Sequence, residues 1–160
     1  MAVIFKEMNK IIILIFVIIS TISCNSFLGE EIGRINIEKV STSDENSFPE
    51  EITLNLKKGE KISFWSEMDF EYFGEEEFRF LIDIYKDDEL YGDFEIDPLD
   101  KSITIGEIKT TIDDKTNWSF TGKNITLNID KEGKYRFNVL LITSNNPTTV
   151  INKSILIIKK

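Results

Sequence analysis

The side chains best suited to chemistry in this sequence are carboxylates, and they come in clusters. Glu75-Glu76-Glu77, Asp87-Asp88 and Asp113-Asp114 stand in short polar stretches, and Asp93, Asp97 and Asp100 lie close together. Two carboxyls fixed about 5 Å or about 6.5–9.5 Å apart across a cleft would hydrolyse a glycosidic bond. A converging set of oxygens would hold calcium, but the spacing here departs from the Asp-x-Asp-x-Asp-Gly loop. Acids in such stretches also build turns and stay solvated. There is no histidine, which removes the Ser–His and Cys–His nucleophiles and the usual zinc sets. With 28 acidic against 19 basic residues the chain carries a net charge of −9, which repels nucleic-acid phosphates. No glycine-rich phosphate loop is present. The chemistry points to a non-enzymatic binding or structural protein with no cofactor, no metal and no nucleic-acid partner. The alternative is a carbohydrate-active or calcium-assisted surface protein.

The other reactive group is the single cysteine, Cys24. It follows an apolar run of nine residues, Ile11 to Ile19, preceded by Lys6 and Lys10. That run is shorter than the roughly 20 residues a spanning helix needs. A positive stretch, a short apolar stretch and small residues make a secretory signal, so an N-terminal signal helix is expected. "MNKIII" is a complete n-region by itself, so Met8 is an alternative start to Met1. A lone cysteine forms no internal disulfide, and a free thiol on an exported protein is unusual.

Thr21-Ile22-Ser23-Cys24 resembles the lipobox of bacterial lipoprotein precursors, with Thr21 where Leu is commoner. The resemblance covers the first 24 residues. It implies cleavage between Ser23 and Cys24, with palmitate or another acyl chain on the cysteine. Two or more acyl chains anchor stably, because each buried CH₂ adds about 0.8 kcal/mol. The partner so implied is the membrane, through the lipidated N-terminus. Asn25, rather than Asp, follows the cysteine. In enteric-type lipoproteins that favours the outer membrane, on its periplasmic or surface face in the cell envelope.

These groups must be carried by a body, and the body reads as strands. After a signal over 1–23 and a tether over 24–33, residues 34–160 form one domain. "EITLNLK" alternates Ile52, Leu54 and Leu56, and "FRFLIDIYK" alternates Phe78, Phe80, Ile82 and Ile84. "GKYRFNVLLI" alternates Tyr135, Phe137, Val139 and Leu141. Period-two alternation marks strands with one buried face. In "KISFWSEM" Ile62, Phe64 and Met68 share one side and Trp65 takes the other. "LYGDFEID" is a short strand stopped by Pro98, and the phase slips at Gly106, as at a bulge. A hairpin is expected about Gly122. Eight to ten short strands with regular turn signals predict an all-β, antiparallel β-sandwich, jelly-roll or Ig-like.

Two finer expectations follow. If strands 61–68 and 78–86 pair, Trp65, Leu81 and Tyr85 share an outer face that would contact a protein or glycan. In "NIDKEGKYRF", Tyr135 can bury its ring and bond nearby backbone, as in a tyrosine corner. Asp130, Gly133 and Tyr135, together with "LNLKKGEKISF", resemble the closing and opening strands of Ig-like, GOLD-like and pre-peptidase-type sandwiches. Such domains mostly bind, pack or escort. An Ig domain proper would carry Cys where Phe137 stands. The three Asn-x-Ser/Thr sites, at Asn117, Asn124 and Asn152, are incidental in a bacterial protein.

Overall fold

The computed structural model describes residues 28–41, 47–144 and 146–160. The expected signal helix, the lipobox and Cys24 lie outside the described residues. Nine strands form the body: β1 (Glu31–Asn36), β2 (Glu50–Leu56), β3 (Lys61–Phe73), β4 (Phe78–Lys86), β5 (Glu89–Ile96), β6 (Ile103–Ile112), β7 (Lys115–Asn128), β8 (Gly133–Thr143) and β9 (Val150–Lys159). They make two sheets, ordered β1-β9-β3-β7-β6 and β2-β8-β4-β5. Every pairing between these strands is antiparallel.

The connectivity is that of a jelly roll. β1 pairs with β9, β2 with β8, β3 with β7 and β4 with β5. A long ribbon folds over at the β4–β5 hairpin, and its two arms wind together. β6 is an additional strand, hairpinned onto β7.

Apolar residues at every second position drive this. Phe78, Phe80, Ile82 and Ile84 of β4 and Tyr135, Phe137, Val139 and Leu141 of β8 are buried in one core with Ile62, Phe64, Met68 and Phe70 of β3. Rings meet across the layers: Phe64 and Phe137 stand edge to face at 5.7 Å, and the centroids of Phe70 and Phe78 are 4.4 Å apart. Each buried side chain of this size contributes about 1.5–3 kcal/mol by leaving water.

The paired aspartates form the hairpin turns. Asp87 and Asp88 have φ of 51° and 68°, and Asp113 and Asp114 have 49° and 64°. Positive φ at both central residues gives the type I′ twist that a two-residue hairpin needs, and Asp is among the few residues that tolerate it. The slip at Gly106 is a bulge: the β6–β7 register shifts between Ile105 and Ile108, and Gly106 has φ of 62°.

Three expectations are corrected. No hairpin forms at Gly122, because β7 pairs with β3 along its whole length from Lys115 to Asn128. The glycine instead admits the Lys101 stem, 2.4 Å from where a Cβ would stand. β1 begins at Glu31, so the sandwich takes three residues assigned to the tether. Finally, β3 and β4 do not pair; they lie in different sheets.

Candidate binding site

The proposed contact face of Trp65, Leu81 and Tyr85 is not assembled. Trp65 lies on the five-stranded sheet, and Leu81 and Tyr85 lie on the other. Trp65 is outside the core, as its phase requires, yet only 1% exposed. Its indole N–H donates to Ser63 Oγ at 3.0 Å, and Lys159 Nζ stands 4.5 Å from the ring centroid. Leu81 and Tyr85 are half-buried, and the Arg136 guanidinium lies 4.2 Å from the Tyr85 ring.

The candidate acids are dispersed, and Glu76 and Asp97 are committed to structural contacts. Glu76, 9% exposed, accepts from Glu77 N at 3.0 Å, Ser144 N at 2.9 Å, Ser144 Oγ and Thr149 Oγ1. It ties the β3–β4 connection to the β8–β9 loop. Asp97 accepts from Leu99 N at 2.8 Å and pairs with Arg79 at 3.1 Å, which caps a turn. Asn124 clips that turn to β7 by donating to the carbonyls of Asp97, Pro98 and Asp100. Among the described residues no three acidic, cysteine or histidine side chains converge as a metal set.

A cleft does open where β5, at the edge of one sheet, faces β7 of the other. It has a volume of about 480 Å³, within the roughly 300–1,000 Å³ of small-ligand sites. Ile84, Phe94, Ile129 and Tyr135 line its depth, and Ile125 and Leu127 form the β7 wall. Two local facts create it. The β6–β7 pairing ends at Ile103 and Lys123, so β7 has no neighbour on that side beyond it. And β5 places Gly92 opposite Ile84, on its inward row, where an added Cβ would meet nothing within 4 Å. Glycine inside a strand marks a bulge or a close approach; a bulge at Tyr91 precedes it.

Tyr91, Asp130 and Tyr135 form one end. Tyr135, fully buried, donates its hydroxyl to the Lys131 carbonyl at 2.7 Å, so the tyrosine-corner contact is present. Tyr91, 41% exposed, stands edge to face with it at 5.7 Å and donates to Asp130 Oδ1. That hydrogen bond, with added desolvation, pushes the Tyr91 hydroxyl up to about 12, and it holds the Asp130 carboxyl below its ordinary value. Burial raises Tyr135. Asp93 and Asp130 make the rim acidic over an apolar interior. Such a cleft fits an apolar body with a cationic or donor-bearing end. Of these residues, sequence reasoning singled out Asp93, Asp130 and Tyr135 but missed Gly92 and Tyr91; the available signal was a glycine within the β5 pattern.

A second cleft, of about 390 Å³, lies where β1 leaves β9 and includes Ser154. Ser154 Oγ has no hydrogen-bond partner among the described residues, but it is sealed from solvent and thus from anything entering there. No family model matches this chain, and neither curated proteins nor solved structures give a significant match.

Proposed function

We propose that this chain is a lipid-anchored, non-enzymatic binding protein of the bacterial cell envelope, tethered through Cys24, whose jelly roll offers the Gly92 cleft to a partner. The cleft carries the binding reading. It is apolar, reaches the core, and is kept open by a glycine where the strand pattern calls for a side chain. The anchor is supported by Thr21-Ile22-Ser23-Cys24 after the apolar run. Outer-membrane placement is supported by Asn25. The roles of the acids also favour binding over catalysis. Glu76 is saturated with donors, the paired aspartates hold turns, and Asp130 is engaged by Tyr91.

Two measurements test this. Cys24→Ala should abolish palmitate labelling and release the protein from membranes; continued labelling and sedimentation with membranes would refute the anchor. Benzylamine, a small apolar cation, should perturb the resonances of Phe94, Ile125 and Tyr135, and Gly92→Leu should remove the effect by filling the cleft. Absence of perturbation in the parent protein, or no change in Gly92→Leu, would refute the cleft.

A further inference from the structure

We propose that the partner is an extended peptide strand that pairs with the free edge of β5, placing apolar side chains beside Gly92 and basic side chains against Asp93 and Glu95. This rests on the cleft being a binding site and specifies what enters it.

Backbone geometry comes first. β5 is the last strand of its sheet, so one side of it presents a row of N–H and C=O groups to any incoming strand. A strand added there lies about 4.8 Å from β5 and sends alternate side chains to opposite faces. Its inward side chains would meet the row Gly92, Phe94 and Ile96, facing Ile125 and Leu127 across the cleft. The two walls are therefore two strand edges, that of β5 and the stretch of β7 beyond its pairing with β6. Gly92 leaves room for one inward side chain of the newcomer.

Charge selects the rest of the pattern. On the outer face Asp93 stands directly opposite Asp83, and Glu95 is one position along that row. Like charges directly opposite each other are destabilising. Among the described residues none of these three carboxylates has an ion-pair partner. An added strand with Lys or Arg at its outward positions would neutralise Asp93 and Glu95, each directly across the new pairing. The recognised segment is thus an alternation of apolar and basic residues about six to eight long, matched to the 8 residues of β5.

The test uses the full chain in zwitterionic detergent, with empty micelles as the blank. The probe is the peptide Lys-Ile-Lys-Ile-Lys-Ile-Lys. The controls are the same residues in blocked order and an alternating Glu-Ile peptide. At saturation the alternating basic peptide should slow amide exchange across 89–96 at least tenfold, and neither control should. Gly92→Leu should abolish the protection at an unchanged urea midpoint, since the added side chain enters open space. Asp93→Asn with Glu95→Gln should weaken binding about tenfold and flatten its salt dependence. Equal protection by the blocked peptide, protection surviving in Gly92→Leu, or none from the alternating peptide would overturn strand addition. If benzylamine still binds in a Gly92-dependent way while the peptide does not, strand pairing fails and the cleft stands. If neither binds, both fail.

Discussion

Replacing Glu76 by alanine removes the one buried carboxylate among the described residues, and the structure sets the size of the effect. Four donors converge on it, from Glu77 N, Ser144 N, Ser144 Oγ and Thr149 Oγ1. Hydrogen bonds to a charged group are each worth about 1.5–3 kcal/mol, so four bound the loss at about 6 kcal/mol or more. Two effects reduce it. The alanine variant no longer desolvates a carboxylate. And Glu77 and Ser144 are exposed, so water can replace part of what is lost. The expected net loss is about 3 kcal/mol. For the 130 residues from Glu31 to Lys160, an unfolding entropy of about 2.1 cal/mol/K per residue makes that a fall in Tm of roughly 11 °C. Glu76→Gln keeps one acceptor oxygen and places an amide toward Thr149, whose hydroxyl can accept instead, so it should cost about 1 kcal/mol. Urea denaturation of both variants measures the difference. If Glu76→Ala lies within about 1 kcal/mol of the parent, the carboxylate is not joining the two loops, and its exclusion as a reactive acid loses its basis.

The Tyr91–Asp130 contact predicts two pH windows. Asp130 is lowered in the folded protein, so its contribution is present above the ordinary carboxylate range and disappears as pH falls through the lowered value. Tyr91 is raised to about 12, so its contribution is complete below pH about 10 and disappears as pH climbs toward 12. Tyr91→Phe should flatten both windows in urea midpoints and remove the tyrosinate component that ionises at about 12; unchanged profiles would show that the hydroxyl is not held. Ile108 and Ile112 of β6 are 68% and 67% exposed, so Ile108→Lys with Ile112→Lys should change stability by less than about 0.5 kcal/mol at each site. Self-association, followed by light scattering, should fall; a large loss of stability would mean that these side chains pack on something.

What was legible in the sequence was periodic or local. β4 and β8 alternate without interruption because both face one core, and their buried residues are those the alternation marks. The aspartate turns and the Gly106 bulge were readable because left-handed backbone restricts residue choice locally. Period two reveals two faces but does not say which sheet a strand joins. Trp65, Leu81 and Tyr85 were correctly out of phase with the core, yet they sit on opposite layers, because β3 and β4 are joined by a crossover at Gly74–Glu77. The Gly92 cleft depends on where β6 stops pairing and on β5 facing β7, relations between segments far apart in the chain. Gly122 misled for a related reason: its missing side chain serves a lysine stem from another segment, which resembles a turn signal when only neighbours are seen.

The edge strands β5 and β6, two of the four that end the sheets, differ in a way that favours β5 as the docking edge. β6 also ends its sheet, and its isoleucines suggest a sticky strand. But Ile105, Ile108 and Ile112 pair with Thr121, Ser119 and Lys115 on the outer row. The row toward the sandwich carries Lys109, with Nζ 3.7 Å from the Trp118 ring centroid, and Glu107, which accepts from Trp118 Nε1 at 2.7 Å and pairs with Lys101 at 3.0 Å. A strand added beside β6 would turn its inward apolar side chains onto charges, and the Gly106 bulge would break its register. Inward-pointing charge and a bulge are the devices by which edge strands resist pairing. β5 is arranged the other way round, with Gly92, Phe94 and Ile96 inward and acids outward. Its bulge at Tyr91 lies before this run, so Gly92–Ile96 keeps unbroken register with β4. The same sandwich therefore closes its β6 edge against strand addition and leaves its β5 edge shaped for it.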